Sequence, residues 1–189
     1  GDSLLLKAGD TFDGPFRSFR KGALSAPITI DRYGSGANPI IYGDHPNAVW
    51  SPVAGHAGVF STYTGPPPYS SIEQVYEVES GTKYTKFNRG TNTLDSWLAT
   101  FTNGVWGADS TVNTYIKTLD GNAPPAMHVF EFAVVMASTY WTIQNLEIRN
   151  GGKGIYIQGP GNKIISNYLH EILNSGIYVG FAWSTELAS

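Results

Sequence analysis

The chain has 189 residues, only 14% of them charged, and a formal net charge of −3. That balance lacks the basic patch needed to neutralise phosphates, so no nucleic-acid partner is expected. The absence of cysteine excludes a disulfide framework and thiol or Cys-zinc chemistry.

Twenty-two glycines, 11 prolines and 13% aromatic residues point to an all-β chain with frequent turns. No apolar run approaches the roughly 18–20 residues of a membrane span. Gly1-Asp2-Ser3 leads straight into a strand-like run, not a cleavable leader. This predicts that the sequence starts inside a longer protein or after processing.

Across 1–43, short apolar runs are closed by turn residues. Leu4-Leu5-Leu6 precedes Gly9-Asp10, Pro27-Ile28-Thr29-Ile30 precedes Tyr33-Gly34-Ser35-Gly36, and Asn38-Pro39 precedes Ile40-Ile41-Tyr42-Gly43. Runs this short are strands, with Ile28 and Ile30 on one face and Thr29 on the other.

Residues 44–140 read as a β-rich insertion. Val75-Tyr76-Glu77-Val78, Lys83-Tyr84-Thr85-Lys86-Phe87 and Thr114-Tyr115-Ile116-Lys117 alternate as antiparallel strands with one solvated face would. Gly65-Pro66-Pro67-Pro68 and Asp120-Gly121-Asn122-Ala123-Pro124-Pro125 are turn or loop signals. Trp97 and Trp106 could stack on sugars from loops, but core packing is the favoured reading.

Residues 141–181 carry a repeat. Ile143, Leu146 and Ile148 recur 21 positions later as Ile164, Asn167 and Leu169, and Gly154-Ile155-Tyr156-Ile157 recurs 22 positions later as Gly176-Ile177-Tyr178-Val179. A period of about 20–25 residues made of short strands is the mark of a solenoid, in which each rung buries its apolar edge only by stacking on the next.

The segments "LLLKAGDTFDG" and "ITIDRYGSGANPIIYG" resemble the N-terminal region of secreted right-handed parallel β-helix proteins. The pair "YWTIQNLEIRNGGKGIYI" and "NKIISNYLHEILNSGIYV" is similar to consecutive rungs of the pectate-lyase-like superfamily. The resemblance covers about 1–43 and 126–181. It implies an all-β fold: a right-handed parallel β-helix with a β-rich insertion between the N-terminal strands and the regular rungs. It also implies Ile164-Ile165 on the second sheet, Asn167 inward at the turn before the third, and Gly154–Ile157 beside Gly176–Val179 on the first, which carries the family's substrate cleft.

Candidate chemistry follows. Alternation sends Tyr156 and Tyr178 outward on neighbouring rungs, as a sugar platform or as an ordinary cross-strand aromatic pair. A polysaccharide lyase needs a base for the proton α to a uronate carboxyl group and a cation to neutralise that carboxylate. Arg149 or Lys153 could serve as neutraliser or base, with His170 and Glu171 nearby. A hydrolase needs two carboxylates about 5–9.5 Å apart; Glu147 and Glu171 lie in these rungs without an obvious pairing.

Ca²⁺ enters by family resemblance only, since the sequence shows no calcium-loop spacing. Asp10, Asp13, Asp31 and Asp44 read as turn residues, and His45, His56 and His128 show no metal-ligand spacing.

After Val179 only "GFAWSTELAS" remains, with no visible cap for an open solenoid end. The first expectation is therefore an extracellular, carbohydrate-active protein acting on acidic polysaccharide, a lyase ahead of a hydrolase, present here as a fragment of a longer chain. The alternative is a non-catalytic module (a filament subunit, adhesin or viral spike segment) that self-associates through its open C-terminal rung.

Overall fold

The structure, a computed structural model, describes residues 1–44, 48–64, 72–78, 80–109 and 113–180. His45, the Gly65–Pro68 turn and residues 181–189 fall outside them. The chain is all-β with parallel sheets.

The strands up to the insertion are Ser3–Lys7 (β1), Thr11–Phe12 (β2), Phe16–Arg17 (β3), Ile28–Tyr33 (β4) and Ile40–Tyr42 (β5). Next come Ser51–Pro52 (β6), Val59–Tyr63 (β7), Ile72–Glu77 (β8), Thr85–Lys86 (β9), the helix Leu94–Leu98 (α1), Val105–Ala108 (β10), Asn113–Lys117 (β11) and Met127–Glu131 (β12). The last are Ala133–Ala137 (β13), Trp141–Gln144 (β14), Glu147–Gln158 (β15), Lys163–Ile165 (β16) and Tyr168–Gly180 (β17).

Contacts divide the chain into two compact units, Gly1–Gly43 with Ala133–Ser189, and Asp44–Phe132. In the first unit every strand pairing is parallel. The strands stack in three columns. The first is β1, β4, β14, β16. The second is β2, β5 and the front halves of β15 and β17. The third is β3, β13 and their rear halves. The chain visits the columns in this order four times.

Each column buries one apolar line, because alternate side chains of a strand share a face. Ile30, Ile143 and Ile164 stack in the first column. Phe12, Ile41, Ile148 and Leu169 stack in the second, and Phe16, Val135, Ile155 and Ile177 in the third. Apart from Ile177, 49% exposed on the last strand, these residues form or flank one core. Each fully buried member contributes about 1.5–3 kcal/mol.

The bends recur with the strands. Asn145 and Ser166 have φ of 57° and 54° between the first and second columns, and Asn150 and Glu171 have 59° and 55° between the second and third. Asn167 secures the first bend. Its Oδ1 accepts the Leu146 N–H at 3.1 Å, and its Nδ2 donates to the Ile143 carbonyl at 2.8 Å. The Asn167 amide therefore braces the bend.

The second unit pairs β6-β7-β11-β10-β9 in one sheet and β12-β8 in another. Thr114, Tyr115 and Ile116 of β11 are all buried, so its alternation does not produce the expected solvated face. The cause is a core on each side of the sheet: Trp106 and Ile116 belong to one, Trp97 and Tyr115 to the other. Both tryptophans are core residues. Gly107 is required beneath Trp97, since a Cβ there would lie 2.3 Å from its ring.

Candidate functional site

The outward face of the second column gathers polar residues that lie far apart in sequence. Parallel register places Glu147 beside Tyr168, and Arg149 between Tyr42 and His170. Their chain neighbours Ile41, Ile148 and Leu169 point to the core, so alternation turns these side chains outward.

His170 is the hub. Its Nε2 lies 3.0 Å from Glu147 Oε1, its Nδ1 lies 3.9 Å from Glu171 Oε1, and its ring stacks on Tyr168 at 4.6 Å. Arg149 reaches Glu147 at 3.7 Å and lies over the Tyr42 ring at 4.4 Å. The Arg149, Glu147 and His170 side chains are 26%, 21% and 23% exposed. They are accessible to a ligand yet desolvated enough for their charges to act strongly. Arg149 Nε is buried and makes no hydrogen bond with any described residue.

This arrangement separates two chemical roles. An Nε2–H donated to Glu147 leaves Nδ1 as the basic nitrogen of a neutral imidazole. Arg149 supplies a fixed positive charge on the neighbouring strand. Glu171 follows His170 directly in the left-handed bend at φ 55°, which turns its exposed carboxylate toward Nδ1.

Lys153 belongs to a different group. It lies beyond the Asn150 bend, in the third column, with its Nζ 5.1 Å from the Tyr178 ring. Tyr156 and Tyr178 stack there at 5.4 Å and 11° between planes. Gln158 Nε2 donates to the Tyr156 hydroxyl at 2.8 Å. Of the six sequence candidates, Arg149, His170 and Glu171 converge, while Lys153, Tyr156 and Tyr178 form a second cluster.

Glu147 was weighed only as half of a hydrolase pair, and Tyr42 was not a candidate. The signal for Glu147 was present: the 21-residue offset carries Arg149 onto His170, and Glu147 lies two residues before Arg149 on the same face. Tyr42 carried no such signal, because β4 and β5 match the later rungs too weakly to reveal their register.

A further pair lies in the second unit. Asp44 is 1% exposed and lies 2.6 Å from His128 Nδ1. Tyr76 and Phe130 flank that ring at 5.1 and 5.5 Å. Asp44 is thus a buried acid with an imidazole partner and not the turn residue expected from its glycine neighbour.

Among the described residues no group of three or more His, Cys, Asp or Glu could hold a metal ion. Ca²⁺ takes 6–8 oxygen ligands, whereas Glu147 and Glu171 stand on opposite nitrogens of one imidazole. The cluster does not fit that ion. Among the described residues no helix is long and apolar enough to cross a membrane.

No family model and no curated protein matches the chain. A solved structure described as the complex structure of XylC with xylose is similar over 88% of this chain and 36% of that one, with 15% sequence identity and a TM-score of 0.37. The chain therefore spans little more than a third of that protein's length.

Proposed function

We propose that this chain belongs to an extracellular, pectate-lyase-like right-handed parallel β-helix protein that cleaves acidic polysaccharide by β-elimination at the Glu147–Arg149–His170 cluster. Four passes through three parallel columns support the helix reading, and parallel crossovers are right-handed in nearly all proteins. The observation that carries the activity is the juxtaposition of Arg149 and His170 on adjacent strands of one outward face.

In this reading Arg149 pairs with the uronate carboxylate and stabilises the negative charge that develops when the α-proton leaves. His170 Nδ1 takes that proton. The C–H electron pair forms the new double bond, the glycosidic C–O bond breaks, and the leaving oxygen takes a proton from the imidazolium. Glu147 is a positioning residue that holds the imidazole, and Tyr156 and Tyr178 contact the sugar chain further along the same strands.

The test is a panel of polyuronates monitored for the absorbance of the unsaturated product. Activity should fall about 10²–10⁴-fold in His170→Ala, and comparably in Arg149→Gln. Glu147→Gln should lower the rate less and shift the pH profile. A panel that stays silent with and without Ca²⁺ removes the lyase reading.

A further inference from the structure

We propose that the cleft formed by Asn88, Arg89, Thr91, Asn92 and Asp109 in the second unit binds a single carboxylate-bearing sugar residue, separately from the Glu147–Arg149–His170 cluster. The cleft is open and holds about 510 Å³.

Its floor is a self-braced turn. Arg89 Nε donates to the Asn92 carbonyl at 2.8 Å, and the Asn92 amide returns a bond to the Arg89 carbonyl at 3.2 Å. Gly90 makes the reversal possible at φ 61°. This bracing uses only Nε and leaves the guanidinium edge, half-buried and fixed in direction, with Nη donors that bond no described residue. A rigid fork of this kind matches a carboxylate in bidentate geometry. The exposed Asn88 and Thr91 side chains line the same cleft and add neutral donors and acceptors.

Asp109 narrows the ligand further. Its Oδ1 accepts the Asn113 N–H at 3.1 Å and its Oδ2 accepts the Tyr115 hydroxyl at 3.0 Å, so both oxygens are anchored as acceptors. A fixed carboxylate lining the same cleft repels a doubly charged anion such as phosphate more strongly than a singly charged one. It tolerates a ligand with one carboxylate and several hydroxyls. One cation, one anion and several neutral hydrogen-bonding groups together describe a uronic acid unit.

The choice of a uronate rests on the acidic-polysaccharide reading above, whereas the donor set does not. Backbone-amide NMR of the full chain, titrated separately with digalacturonate, a neutral disaccharide and inorganic phosphate, tests it. Digalacturonate should shift the amides of Asn88–Asn92 and Asp109. Arg89→Gln should weaken that response about tenfold or more, with Arg89→Lys intermediate because it keeps the charge and loses the fork. Spectra unchanged elsewhere in both variants show that they fold.

No shift at these amides, an undiminished response in Arg89→Gln, or an equal response to phosphate overturns the proposal. The two readings fail separately. Turnover of polyuronate without binding at Asn88–Asn92 sinks the cleft alone, and binding there without turnover sinks the lyase reading alone.

Discussion

Asn167 shows what one side chain does for a bend. The Leu146 N–H lies past the end of β14, where the Asn167 amide oxygen accepts it, and the same amide donates to the Ile143 carbonyl. Asn162 repeats the device by accepting the Trp141 N–H and donating to the Gly159 carbonyl. Asn167→Ala removes the acceptor of the Leu146 N–H, at a cost of about 1–3 kcal/mol, measurable as a lower urea midpoint with an unchanged slope. Asn167 was legible because a repeat places it one period after the core residue Leu146. Asp44 was not legible, since its partner His128 lies 84 positions away and no spacing rule connects them.

At the scale of elements, β15 and β17 together carry the register and the polar cluster. Their pairing offset is 21 residues through Gly151↔Ile172 and 22 from Lys153↔Ser175 onward, with an irregularity between. β17 holds one residue more than β15 across that gap. Without a bulge, an extra residue would send every following side chain to the opposite face. Here Ile177 still aligns with Ile155, and Tyr178 with Tyr156.

Deleting Asn174 is therefore expected to restore a uniform offset and shift the melting temperature by only a few degrees. Deleting Leu169 should unfold the strand, because it sends His170 inward. Melting curves of the two deletions check the contrast. Both offsets were readable from the Ile and Gly matches. The outward cluster was legible in part: the 21-residue offset sets Arg149 beside His170, whereas Tyr42 lies on a strand that matches the later ones too weakly to reveal its register.

At the scale of the molecule, two units with separate cores respond to different conditions. Tyr84 and Tyr115 both lie in Asp44–Phe132. Burial, then a hydrogen bond to Asp109 and that carboxylate's charge, push the Tyr115 phenol up to about 12. Burial and Glu77 raise Tyr84 in the same direction.

A phenol raised in the folded state adds stability that is whole below about pH 10, its unfolded value, and is lost as pH rises through the folded one. Alkaline unfolding should therefore begin in this unit, seen as hydrogen exchange rising at Ile116 before Ile148. Tyr115→Phe should flatten part of that dependence between pH 10 and 12. A change in texture marked 44–140 in the sequence, whereas the second unit ends at Phe132 and β13 belongs to the columns. The unit's double core was not legible, because Trp97 and Tyr115 lie on separate elements with β10 between them in the chain, and no spacing rule connects them.

The place where the insertion enters the chain has a consequence in time. β3 pairs with β13, so Phe16 meets Val135 only after the whole of Asp44–Phe132 has been made. During synthesis the first five strands emerge long before the strand that completes their third column. Loop closure costs only about 0.6 kcal/mol for each doubling of length, so the delay is kinetic. An insertion that has already folded acts as a short tether, delivering Ala133 close to the point where Gly43 left off. The expected order is the inserted unit first and the columns afterwards, seen as hydrogen-exchange protection at Ile116 before Ile148 during refolding.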